Sequence, residues 1–238
     1  STAHHWPIGI ISSALTLSFL VNASVLGFVG PAIGRYGPGR MMGAGACVMA
    51  TGLILIGRVS EVWQVFAAFS LMGLGWSCLS TTAITSSLAP WFERFQGRAV
   101  STALLGASVG GMAGVPFLLM LIRTLGFATA MLCIGLILLA TVLPISILVM
   151  KRRPQDLGLT PDGLQTDPAN PRIQSKSWTR AEALRSFPLQ TIMLAFGLAL
   201  LVQIGFLTHQ VSLLLTILDD YATALCVTGA AMLAFIGR

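Results

Sequence analysis

Charge is what this chain of 238 residues has least of: Asp, Glu, Lys and Arg make up 9% of it. A soluble domain carries about a quarter, and apolar residues here reach 55% with a mean hydropathy of +0.84. The solvent for most of the surface is therefore lipid. No CxxC pair occurs, and the four cysteines (Cys47, Cys78, Cys133, Cys226) all lie inside apolar runs. They read as small packing residues, which sets disulfides and metal ligation aside. HExxH, GxSxG and phosphate-loop patterns are missing, so neither an enzyme nor a cofactor or metal site is expected. The formal charge of +6 does not indicate nucleic acid, because its basic residues punctuate hydrophobic runs and form no stripe. Nor is a signal peptide visible, since there is no basic n-region.

What is present is a series of apolar runs, at about 8–33, 41–57, 62–89, 99–122, 127–150, 188–218 and 222–237. A hydrocarbon core about 30 Å thick takes roughly 20 residues of helix. Backbone groups in lipid must be satisfied within the segment, so the runs are predicted as helices. The fold class is thus an all-α integral membrane protein. One long hydrophilic stretch, 151–185, interrupts the series and holds seven of the fourteen Lys and Arg residues. It divides the chain into an N-terminal helical bundle (1–150), a central loop (151–187) and the start of a second bundle (188–238).

The interhelical loops alternate in charge. Arg35, Arg40, Arg94, Arg98, the seven basic residues of the long loop and Arg238 fall on one side. Only Arg58 and Arg123 fall on the other. By the positive-inside rule the rich side, central loop included, is cytoplasmic in a multi-pass cell-membrane protein. Ser1 then lies outside, and a missing first helix would restore a cytoplasmic start.

Within the runs, Gly106, Gly110 and Gly114 recur every four residues. They share one face that could admit another backbone closely, so Leu at Gly110 is expected to be tolerated worse than Leu at Gly135. Pro116 should bend the same helix. Ser70, Gly73, Ser77, Ser80, Thr81 and Thr85 form a polar stripe that either bonds neighbouring helices or lines a watery path. Intramembrane ionisable groups are functional candidates by default, and among the histidines, acids and bases His209 is the one inside a run. Gly205, Ser212 and Thr216 lie within about sixty degrees of it on a helix, flanked by Gln203 and Gln210. This arc is either a cavity wall that binds a polar solute or a histidine satisfied by its neighbours. Asn22 with Ser18 forms a smaller polar patch.

Three stretches carry a family resemblance. GPAIGRYGPGR (30–40) resembles the loop between the second and third helices of the major facilitator superfamily, a gating motif to which Gly30, Arg35, Gly37 and Arg40 answer. Either Gly34 stands where that motif has its aspartate, or residues are missing before Tyr36. WFERFQGRAVSTALLGASVGG (91–111) is similar to the junction of the fourth and fifth helices in the monocarboxylate and oxalate–formate branch. RRPQDLGLTPDG (152–163), followed by WTRAEALRSFPLQTI (178–192), resembles that branch's passage from the sixth helix to the seventh. The piece 178–186 is expected to form a short amphipathic helix on the inner surface.

The resemblance implies a major facilitator fold truncated at both ends, covering helices two to eight of twelve. It further implies a secondary transporter of a small organic anion, a carboxylate, with a proton or counter-substrate as coupling partner and the lipid bilayer as its medium. Arg238 stands about where the branch's eighth helix carries a carboxylate-binding arginine. Ala234 occupies the place of the acid found one turn earlier in monocarboxylate members. Candidate substrate-binding residues are then His209, Arg238, Gln203, Gln210 and Asn22. A transporter of an unrelated solute, for drug or metabolite efflux, is the alternative. A seven-helix receptor follows less well, since a retinal Schiff base needs a helix lysine and Lys151 and Lys176 are both in the loop.

The alternation of charge carries a direct test. A cysteine introduced near Pro168 should react with impermeant reagents only from the inner side, and one near Asp219 only from outside. Labelling of both from one side would overturn the assignment.

Overall fold

The computed structural model describes residues 8–92, 94–150, 158 and 180–215, with scattered single positions beyond 215. Eight helices run through the described residues: α1 Ile8–Tyr36, α2 Pro38–Ile56, α3 Val62–Leu79, α4 Thr81–Leu88, α5 Gln96–Leu125, α6 Phe127–Leu148, α7 Arg180–Arg185 and α8 Phe187–Leu215. They fall into two compact units, 1–165 and 166–238. The last apolar run, 222–237, lies outside the continuously described residues.

Two sharp turns set the order of the first unit. Gly37, between α1 and α2, has φ 87° and ψ 154°; Gly126, between α5 and α6, has φ 80° and ψ 163°. Positive φ of this kind is nearly free for glycine and strained for a residue with a Cβ. One residue therefore reverses the chain at each place. Pro38 follows at the first position of α2, where its missing N–H would be unpaired in any case. At the start of α3, Gln64 reaches back so that its Oε1 accepts from the Ser60 and Glu61 backbone N–H groups at 2.8 and 3.2 Å.

α2 is the hub. Its buried face is built of Gly39, Gly43, Gly45, Ala46, Ala50 and Gly52, and α3 answers with Val65, Ala68, Gly73, Gly75, Ser77 and Cys78. Small residues on both sides let the backbones meet. A Cβ on Gly75 would come within 2.6 Å of the Met49 amide nitrogen and 2.8 Å of the Gly45 carbonyl oxygen. One on Gly45 would strike the Cys78 side chain, and one on Gly52 would stand 3.0 Å from the Ala68 carbonyl oxygen. On the other flank α6 seats Gly135 against Ile54 and the Ala50 carbonyl, and Gly57 of α2's C-terminal end meets Ala128 and Met131. α1 joins through α3, where a Cβ on Gly73 would collide with the Ser18 carbonyl oxygen.

Large apolar side chains face outward: Phe28 is 69% exposed, Trp63 68% and Leu148 71%. In water such a belt would drive aggregation; against lipid tails it needs no cover. Gly9–Tyr36, Pro38–Ile56, Val62–Leu88 and Phe127–Leu148 are long and apolar enough to cross a membrane. α5, at 30 residues, is longer than any of these.

One expectation is revised by the packing. The third run is not one helix: Ser80 takes ψ 170° and separates α3 from α4. In the polar stripe the side-chain bonds among the described residues are local. Ser70, Ser77, Ser80 and Thr85 each donate to a carbonyl of their own chain three or four residues back, at 2.6–3.0 Å, a local competition with the helix that fits the break. Gly106, Gly110 and Gly114, expected to be a packing seam, have nothing within 4 Å of where a Cβ would stand among the described residues. Close approach is made by α2, α3 and α6 instead, and α5 runs unbroken through Pro116. The short helix expected across 178–186 is found as α7, tied to α8 where the Gln190 amide donates to the Leu184 carbonyl oxygen at 3.0 Å. Trp178 lies outside the described residues.

The order of tolerance therefore reverses. Gly135→Leu should destabilise the bundle by about 1–3 kcal/mol through overpacking, while Gly110→Leu should stay within about 0.5 kcal/mol. Unfolding midpoints of the two variants in one detergent give the comparison. Equal midpoints would mean the α2–α6 contact gives way without loss.

Candidate functional site

Two polar features stand out in the first unit. One is Asn22, in the middle of α1 and one turn beyond the Ser18 contact with Gly73. Its Oδ1 is buried and accepts no hydrogen bond among the described residues. Buried acceptors are nearly always paired, so an orphan inside an otherwise apolar helix pair marks either strain or a place where a ligand or water completes the set.

The other feature gathers where α1 ends, α2 begins and α6 ends. Gly30 and Arg35 lie in the last two turns of α1, Gly37 makes the turn, and Arg40 sits in the first turn of α2. The Arg35 guanidinium lies 5.4 Å from the centroid of the Tyr36 ring, within reach of a cation–π attraction. A cavity of about 600 Å³ opens here; Tyr36, Gly37 and Arg40 form its polar rim, and Gly43, Leu143 and Ser146 lie on its walls. Of the four motif residues, Gly37 and Arg40 line it, while Gly30 and Arg35 do not.

Ser146 was invisible to motif reasoning. It is 2% exposed and its Oγ has no partner among the described residues, although helical serines commonly donate to a carbonyl one turn back. The one hint in the sequence is its place two residues after Pro144, an in-helix proline that already disturbs hydrogen bonding in α6.

The remaining candidates belong to the second unit. Gln203 lies on α8 and is exposed. His209 and Gln210 lie on the same unbroken helix, but their side chains fall outside what the structure describes. Arg238 lies outside the described residues altogether. No group of three or more His, Cys, Asp or Glu residues that could hold a metal occurs among the described residues.

The comparisons with known proteins point one way. The family model described as Major Facilitator Superfamily matches residues 1–238. MFS-type transporter pynF of Aspergillus niger is 25% identical over 130 residues, covering 53% of this chain and 29% of its own length. MFS-type transporter 1 of an Ophiocordyceps species is 26% identical over 184 residues, 76% of this chain and 38% of its own. Aspyridones efflux protein apdF of Emericella nidulans is 30% identical over 123 residues, 51% of this chain and 24% of its own. The chain thus spans well under half the length of these relatives. With a family match from end to end over a bundle of lipid-facing helices, this chain belongs to the Major Facilitator Superfamily of multi-pass membrane proteins.

Proposed function

We propose that the protein containing this chain carries a small solute across the membrane by alternating access, the two helical bundles rocking about a central site. One observation carries the reading: the family match runs over all 238 residues, the long polar loop included. The solute is a small organic anion, a carboxylate. Such an ion near the bilayer midplane needs a fixed positive charge or several donors, since an unpaired ion there is unstable by several kcal/mol or more. Arg238 supplies the charge in a planar fork suited to a carboxylate. Gln203, Gln210 and Asn22 supply neutral polar contacts, and His209 supplies a titratable group for proton coupling. Gly30, Arg35, Gly37 and Arg40 form the inner gate.

A second reading has its own support. The relative from Emericella nidulans is named an aspyridones efflux protein, which favours export of a drug or metabolite. For such a cargo Arg238 would matter less than the width of the path.

Uptake of labelled carboxylates into proteoliposomes holding the full-length protein separates the two. Under the anion reading Arg238→Lys cuts carboxylate transport strongly while the protein stays in the membrane, and His209→Gln moves the pH dependence more than the maximal rate. Full carboxylate transport by Arg238→Lys would leave efflux as the better account. A further outcome is expected at Asn22: Asn22→Leu should leave the unfolding midpoint unchanged or raised, because it removes a buried acceptor with no partner, yet lower transport. A fall in the midpoint corresponding to about 1–3 kcal/mol would show that this acceptor is satisfied in the native protein.

A further inference from the structure

We propose that the cavity between the start of α2 and the end of α6 is a binding site for the headgroup of an anionic phospholipid. Three observations converge on an anion. Arg40 lines the cavity and has no ion pair among the described residues, and no acid is among the residues that line it. The N-terminus of the 19-residue α2 opens beside it with no side-chain cap, since its N-cap is Gly37, so the leading N–H groups and the helix dipole favour negative charge. Across from α2, Ser146 is 2% exposed and presents a hydroxyl that nothing described accepts from or donates to. A phosphodiester takes charge-assisted bonds from the guanidinium and a further bond from the hydroxyl, so it completes both ends of the site.

The occupant is amphiphilic because the walls are. Below the polar rim of Tyr36 and Arg40 the lining turns to Leu143, Ile147 and Met150. Around Ile147 the end of α6 keeps an apolar surface, with Ile145 51%, Leu148 71% and Val149 65% exposed. A free phosphate would use only the rim, whereas a lipid uses rim and wall together, its tails lying along α6. Among the described residues that line the cavity no acid stands ready to pair the ammonium of a zwitterionic headgroup, so the preference is for phosphatidylglycerol over phosphatidylcholine.

Gly43 supplies a clean way to close the site. A Cβ there would stand 3.6 Å from both the Leu143 Cδ2 and the Ser146 Cβ, ordinary contact that fills space without forcing the helices apart.

The test is titration of the purified full-length protein in neutral detergent with short-chain phosphatidylglycerol, with phosphatidylcholine of the same tails, and with inorganic phosphate. Thermal midpoint and retained lipid, the latter by native mass spectrometry, are the readouts. Phosphatidylglycerol should be retained and raise the midpoint at concentrations about tenfold lower than phosphatidylcholine requires. Arg40→Gln should weaken that effect about tenfold. Ser146→Ala and Gly43→Ala should weaken it several-fold while leaving the lipid-free midpoint in place, so the test stands even if Arg40→Gln folds poorly. Equal action of the two lipids, full action of inorganic phosphate alone, or undiminished phosphatidylglycerol binding by Ser146→Ala and Gly43→Ala would each overturn the proposal.

Discussion

Everything in the first unit hangs on the approach of two backbones. Where Gly75 of α3 meets Gly45 and Met49 of α2, there is no room for a single additional carbon. In lipid the tails surrounding a helix are as apolar as its own side chains, so burial of leucine or phenylalanine draws helices together only weakly. Contact area at short range, through dispersion between main chains, takes over that role. This explains why Gly, Ala and Ser dominate the buried residues while Phe, Trp and Leu sit outside.

That contact makes α2 the reference for its neighbours. α3 lies against one flank through Gly45, Gly52 and Gly75, and α6 against another through Gly57 and Gly135. α1 is then held twice: by the one-residue turn at Gly37 and by Ser18 on Gly73. The same geometry delivers the motif residues. Because the turn leaves no slack, Arg40 enters the first turn of α2 directly opposite the end of α6, and a polar rim and a buried serine come to share one cavity. α5 lies outside this arrangement, touching chiefly α6, and its small-residue face is left open among the described residues.

Much of the architecture was legible as composition and period. Scarce charge and runs of about twenty apolar residues are enough to make helices in lipid, because no other structure satisfies the backbone there. The runs at 8–33, 41–57 and 127–150 correspond closely to α1, α2 and α6. The resemblance at 30–40 placed a loop between two helices there, and Gly37 turns the chain at that point. Ser80 shows where local reading ran out: a stretch rich in Ser and Thr reads as helix by hydropathy, yet its hydroxyls compete for the carbonyls the helix needs.

Glycine placement was beyond the sequence for a different reason. The ladder at Gly106, Gly110 and Gly114 has the more regular spacing, yet none of the described residues approaches it; Gly45, Gly75 and Gly135 have no such regularity, yet carry the packing seen there. Spacing along a helix says which residues share a face. It does not say which face meets a partner, since that depends on the positions of all the other helices at once. The sequence by itself therefore determined that this chain is a set of membrane helices divided by a polar loop, because that follows from the free energy of each segment in lipid. Only the tertiary structure decided that α2 is the centre, that Asn22 and Ser146 are left without partners among the described residues, and that Arg40 faces a cavity, because each of these is a relation between atoms far apart in the chain.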